Sequence, residues 1–171
     1  MKREATFSED RARRFDLIRD WRDEAGAPDK TALFVMLNPS KAGETEDDPS
    51  VRKTIGFGRR WGYGRIVVVN LVPIVSTDPW GLPPGKGIDM LNRAIQQRWM
   101  SEADLVVAAW GSQPRAICRT IALPELVYDL FRQTAPVTMY CIGTTRRGDP
   151  LHPSRAPYTN SPEVWREKEE K

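Results

Sequence analysis

With 171 residues, 40% apolar and 29% charged, the chain has the size and make-up of a single globular domain with a real core. No apolar run approaches the roughly 20 residues that span a membrane, and Met1-Lys2-Arg3-Glu4 opens a charged segment unlike a secretory signal, so a cytoplasmic protein is expected. The net charge of +3 is too small to name a partner alone, but its distribution is uneven.

Ser8 has the character of a helix N-cap, Glu9 and Asp10 suit a first turn, and Phe15, Ile18, Trp21 and Ala25 recur at helical spacing. A helix is therefore expected over residues 9–25, stopped by Gly26-Ala27-Pro28. Residues 32–37 form an apolar run of strand length, buried on both faces, that ends in Asn38-Pro39-Ser40. An acidic loop with Glu44, Glu46, Asp47 and Asp48 leads to Pro49, which suits the first turn of a basic helix over residues 50–61. A second buried strand, residues 66–69, ends at Asn70. A loop through Ser76-Thr77-Asp78-Pro79 and the Pro/Gly-rich residues 81–87 then leads to a helix over 88–102. The third strand, 105–110, ends at Gly111-Ser112, and a helix over 116–134 has Pro124 inside it. The fourth strand, 137–142, ends at Gly143-Thr144, and a polar tail begins near residue 161.

Strands alternating with helices imply a parallel sheet with right-handed crossovers. In such sheets ligands bind at the carboxyl ends of the strands. Asn38, Asn70 and Trp110-Gly111 all fall there, and His152, the one histidine of the chain, lies on the loop after the fourth strand. Residues 51–65 hold five basic side chains (Arg52, Lys53, Arg59, Arg60, Arg65) and no acid, while Arg146, Arg147 and Arg155 flank His152. Such patches suit a phosphate-bearing partner. Cys118 and Cys141 are isolated and read as reduced, buried thiols. One histidine and two separated cysteines offer no tetrahedral metal set, and neither a P-loop nor a GxGxxG follows the first strand, so no metal or cofactor is expected. A carboxylate-bound Mg²⁺ at Asp47 and Asp48 is the weaker alternative.

Four short motifs carry a resemblance. Leu37-Asn38-Pro39-Ser40, Val69-Asn70, Ala109-Trp110-Gly111-Ser112 and His152-Pro153-Ser154 each follow a strand. They resemble, in order, the G-x-N-P or G-x-D-P, L-L-N, L-W-G and H-P-S elements of the uracil-DNA glycosylase superfamily. Most of the chain is also similar to a bacterial and phage family of unknown function. The matching segments include Val35-Met36-Leu37-Asn38-Pro39-Ser40, Asp47-Asp48-Pro49-Ser50, Arg60-Trp61-Gly62-Tyr63-Gly64, Thr77-Asp78-Pro79 and Gly148-Asp149-Pro150-Leu151-His152-Pro153. That family usually carries an arginine shortly before its T-D-P, where this chain has Pro73-Ile74-Val75-Ser76.

The first resemblance implies a three-layer α/β/α domain with a central parallel four-stranded sheet of order 2-1-3-4. It also implies hydrolysis of the N-glycosidic bond of uracil or a modified base in DNA. The catalytic candidates are Asn38, which would position a water, His152, which would stabilise the leaving base, and Asp48 as the base. Efficient members carry Asp where Asn38 stands, and an amide has no useful basicity, so the resemblance implies a slower enzyme or a different base such as Asp47 or Asp48. The substrate-binding candidates are Asn70, Pro39, Ser40, Trp110, Gly111 and Ser154, with Asn70 offering both donor and acceptor to a base edge. Arg52, Lys53, Arg59, Arg60, Arg146, Arg147 and Arg155 are the nucleic-acid candidates, with single- or double-stranded DNA as the partner, no membrane, and oligomeric state open. Plainer readings stand beside these. Asn38 suits a turn, Trp110 a core, Gly111 a tight turn, and the acidic loop a solvated surface. The competing functions are a binding module without chemistry and an enzyme of free nucleotides.

Overall fold

A computed structural model describes residues 1–82, 84, 89–133 and 137–166. The sheet holds seven strands: β1 (Lys2–Phe7), β2 (Arg14–Asp20), β3 (Thr31–Met36), β4 (Arg65–Asn70), β5 (Leu105–Ala108), β6 (Met139–Cys141) and β7 (Glu163–Arg166). Their spatial order is β1-β2-β4-β3-β5-β6-β7. The inner four, β4-β3-β5-β6, run parallel, whereas β1, β2 and β7 join antiparallel at the two flanks. The expected four-stranded, purely parallel sheet is thus corrected to a mixed seven-stranded one.

The helices are α1 (Pro49–Arg60), α2 (Met90–Glu102), α3 (Arg115–Thr120) and α4 (Leu123–Gln133). Consecutive strand side chains point to opposite faces, and the apolar core divides accordingly. Ala32, Phe34 and Met36 of β3 pack with Ile66 and Val68 against Val51 and Phe57 of α1. Leu33 and Val35 pack with Val67 and Val69 against Trp99 and Met100 of α2, together with Ile117 of α3 and Leu130 of α4. Helices therefore cover both faces, which is why β3 and β4 read as unbroken apolar runs. The Pro/Gly-rich loop at 85–87, the expected helix start at Ile88 and the expected helix end at Thr134 lie outside the described residues.

The largest correction concerns the start of the chain. Residues 9–25 do not form a helix; they complete the hairpin of β1 and β2. Ser8, read as a helix cap, closes the hairpin loop instead. Its N–H donates to Arg13 O at 3.0 Å, and its hydroxyl accepts from Arg13 N at 3.0 Å. Arg11 takes the left-handed conformation (φ 56°) inside that loop. Helical spacing misled because β2 is buried on both faces and carries charges inside: Arg14, Asp16 and Arg19 are all buried. Each has a polar partner, so the polar residues of the strand are inside with the apolar ones, and the alternation over Arg14-Phe15-Asp16-Leu17 breaks at Ile18-Arg19. The polar tail is corrected similarly, since β7 pairs with β6.

β2 runs antiparallel to β4, with Asp16 opposite Val69. Its first residue, Arg14, therefore lies at the carboxyl edge of the parallel strands, where its N–H donates to Pro73 O at 2.9 Å. At the opposite edge Gly64 leads into β4. It donates to Lys30 O at 3.0 Å and accepts from Trp21 N at 2.8 Å. A Cβ on Gly64 would stand 1.9 Å from the main-chain oxygen of Pro28. Because that neighbour is backbone, Gly64→Ala should destabilise the fold by about 2–3 kcal/mol. The expected readout is a lower urea midpoint with an unchanged denaturant slope, and an unaltered midpoint would contradict this packing.

Candidate functional site

At the carboxyl edge of the parallel strands lies a cavity of about 210 Å³. Asn38 and Ser40 reach it from the turn after β3, Asn70 from the end of β4, Asp48 from the N-cap of α1, and His152 from the loop after β6. Arg14 completes it from β2, with Ser50, Ser76 and Thr77. Asn38, Asp48, Asn70, Ser40 and His152 thus meet in one cavity. Pro39, Trp110, Gly111 and Ser154 do not line it.

Each side chain is held by identifiable bonds. Asn38 Nδ2 donates to Ser76 O at 2.8 Å and Pro39 O at 3.1 Å, which uses both amide hydrogens and leaves Oδ1 as an acceptor. Asn70 is 1% exposed. Its main-chain oxygen accepts from Asn92 Nδ2 at 3.0 Å and Gln96 Nε2 at 2.6 Å, so α2 grips the end of β4. Its Oδ1 accepts from Arg14 Nη2 at 3.1 Å, while Nδ2 is buried without a partner. Arginine can only donate, so the carbonyl end of Asn70 must face Arg14. The expected donor-plus-acceptor edge narrows to a free N–H₂ with the oxygen already engaged.

Arg14 is the residue that sequence reasoning missed. It is 2% exposed, and Nη1 donates to Ala42 O at 2.9 Å. Nε has no partner, and no ion pair joins Arg14 to any carboxylate among the described residues. Burial lowers its pKa to about 10, opposed by the nearby charge of Asp48. At the expected helix 9–25 no signal pointed to it. The alternation of charged and apolar side chains in Arg14-Phe15-Asp16-Leu17 was the clue available.

The two acids of the acidic loop separate. Asp47 is bound by Arg19 Nε at 2.7 Å and Arg3 Nη1 at 3.1 Å, and does not line the cavity. Arg19, 0% exposed, also donates to Gly43 O at 2.6 Å and Glu46 O at 3.2 Å, so one buried side chain shapes the whole loop. That leaves Asp48 to cap α1, its Oδ1 accepting from Val51 N at 2.8 Å. Oδ2 has no hydrogen-bond partner among the described residues. No group of three or more His, Cys, Asp and Glu side chains gathers there either.

His152 caps the 3-10 turn Pro153–Arg155. Ser154 N donates to Nδ1 at 3.3 Å and Ser154 Oγ lies 2.8 Å from it. With Nδ1 accepting, the neutral ring carries its proton on Nε2. Burial is the main cause that lowers the His152 pKa, Arg155 adds to it, and Asp48 opposes it. Gly111 (φ 75°) backs the histidine, since a Cβ there would stand 3.1 Å from His152 Cβ. Ser154 and Gly111 are therefore supports of His152, in place of the expected substrate contacts. Trp110, expected at the substrate, is a core residue, 3% exposed and edge-on to Trp165 at 5.0 Å.

Of the basic candidates, Arg52, Lys53, Arg59 and Arg60 lie on α1, whose first turn lines the cavity. Lys53 and Arg60 stand over the Tyr158 ring at 3.9 and 4.0 Å. Arg59 is turned away to Glu24 at 3.0 Å and to the Trp21 ring. Arg146, Arg147 and Arg155 are exposed. Cys141 is buried and Cys118 only half-buried; both are free thiols. No helix of the described residues is long and apolar enough to cross a membrane.

Residues 14–154 match the model of the family described as a protein of unknown function (DUF1643), and the chain belongs to that family. Comparison with curated proteins and with solved structures returns no match.

His152 gives a direct check, because a single imidazole produces a single NMR titration. Its midpoint should fall below the ordinary 6.5. A pKa lowered on folding means the native state binds the proton less readily than the unfolded chain. The stability contribution is then complete above the unfolded pKa and is lost as pH falls through the folded one. A midpoint above 6.5 would contradict this environment.

Proposed function

We propose that this protein hydrolyses the N-glycosidic bond of uracil or a modified base in DNA. The observation that carries the reading is the convergence of Asn38, Asp48, Asn70 and His152 on one cavity at the carboxyl edge of the sheet. The parallel core β4-β3-β5-β6, in this reading, is the four-stranded sheet of the glycosylase superfamily, with an antiparallel hairpin and β7 added at its flanks.

Base excision requires that a nucleotide leave the stack, that its base be read, and that charge be stabilised as the bond breaks. Asn70 Nδ2, rigidly held and otherwise unpaired, would donate to a base oxygen. His152 Nε2–H would donate to the oxygen on which negative charge builds, a contact worth roughly 3 kcal/mol in a dry site. Asn38 Oδ1 would hold the attacking water, and Asp48 would take its proton. Asp48, at the head of α1, would stand in for the acid that residue 38 lacks. The basic side chains of α1, with Arg155 beside His152, would hold backbone phosphates around the cavity mouth.

The test uses oligonucleotides carrying uracil or modified bases, incubated with the protein, treated with alkali and examined for strand cleavage at abasic sites. The wild-type protein should release at least one base. His152→Ala should slow release by about 10²–10³-fold with DNA affinity nearly unchanged, because its contact strengthens only as charge develops. Tight DNA binding without release from any substrate would favour a binding module instead.

A further inference from the structure

Arg14 is an anomaly that the reading above does not use. It is a full positive charge, 2% exposed, that lines the cavity without an ion-pair partner and with Nε unbonded. A guanidinium taken out of water is costly unless paired and fully hydrogen-bonded. The core offers a nearby example of that requirement being met. Arg19, five residues on in the same strand, holds Asp47 at 2.7 Å and donates to several main-chain oxygens. Arg14 donates to two acceptors, Ala42 O and Asn70 Oδ1, both neutral. Asn70, which lines the same cavity, carries a second buried, unpartnered donor in Nδ2.

The charges that face Arg14 are Asp48, Asp16 and Arg19. Asp16 is occupied elsewhere, its Oδ2 accepting from Trp99 Nε1 at 2.8 Å and its Oδ1 from Thr6 N. Arg19 is held by Asp47. Asp48 lines the same cavity but forms no ion pair with Arg14. The cavity therefore carries a fixed cation and a fixed carboxylate in its lining, not joined to one another. Preorganised charges of this kind favour a reaction that separates charge between them, because the protein need not reorganise as the charges develop.

We infer that Arg14 is a catalytic cation that receives the negative charge of a departing oxo-base, so that the cavity binds the ionised ring of such a base in preference to the neutral one. The inference rests on the glycosidase reading and adds to it a residue and a ligand class. In the step, the bond from C1′ to the ring nitrogen breaks heterolytically. Its electron pair stays with the base, whose charge spreads to an exocyclic oxygen that Arg14 Nε and Asn70 Nδ2 would receive. Water adds to C1′ and passes a proton to Asp48. The base anion takes up a proton on release and Asp48 returns its own to solvent, so substrate plus water gives free base plus an abasic sugar. His152, whose pKa burial lowers, serves as a neutral donor, and Arg14 supplies the charge that the imidazole lacks.

Binding of free bases tests this without any turnover. Uracil is neutral near pH 7, whereas 5-nitrouracil, whose ring nitrogen is more acidic, is largely ionised. Calorimetric titration of the wild-type protein should show 5-nitrouracil binding roughly 10- to 100-fold more tightly than uracil, the difference expected for a charge-assisted hydrogen bond in a buried site. Arg14→Gln, which removes the charge and keeps a polar side chain, should abolish the preference. If that variant fails to fold, the wild-type ratio alone still decides. Equal affinity for both bases would overturn the inference and leave the base-binding reading in place. Failure of both bases to bind, with inorganic phosphate bound instead, would overturn both. In the excision assay Arg14→Ala should lose activity and regain part of it when guanidinium is added at millimolar concentration. Base release by Arg14→Ala at the wild-type rate would overturn the catalytic role.

Discussion

The contact between the Arg14 guanidinium and the Asn70 amide organises this molecule. It joins the first residue of β2 to the last of β4 at 3.1 Å, in a region where neither side chain reaches water. The antiparallel register makes it possible, since only a strand running against the parallel core can present its beginning where the others end. The bond fixes which end of Asn70 is free. Asn92 and Gln96 secure the main chain of the same residue from α2, so the site is held from both sides of β4. Two orphan donors in one cavity are costly for a folded protein, by about 1–3 kcal/mol each. Such costs concentrate where a ligand repays them.

A second buried arginine performs the complementary task. Arg19 gathers Asp47 and the carbonyls of Gly43 and Glu46 about one guanidinium, so that a loop which would otherwise be solvated has a defined path. The path ends at Asp48, poised at the head of α1 and lining the cavity. β2 thus supplies both the cation inside the cavity and the clamp that aims its carboxylate. The hairpin added to the flank of the parallel core builds the site as much as it extends the sheet.

The parallel core was legible because burial on both faces leaves apolar runs bounded by turn residues. β3 and β4 fell where expected, and Asn38, Asn70 and His152 could be placed at one edge by topology alone. The hairpin was not legible, for a physical reason. Arg14, Asp16 and Arg19 are buried against the general rule for charged residues, and each is bonded to a partner distant in sequence. With polar residues inside, Phe15, Ile18 and Trp21 presented a chance helical period. Trp110 and Gly111 were legible in place but not in role. One is core, and the other makes room for His152. The separation of Asp47 from Asp48 depended on Arg19 and so on the strand that the pattern concealed.

Base recognition in this cavity depends on where a base oxygen sits, and a crystal structure of the protein soaked with 5-nitrouracil shows that directly. The expected result is one exocyclic oxygen within hydrogen-bond reach, about 3 Å, of both Arg14 Nε and Asn70 Nδ2. The Arg14–Asn70 contact should remain intact. A base bound elsewhere, or one seated in the cavity with both donors still unpaired, would contradict the account.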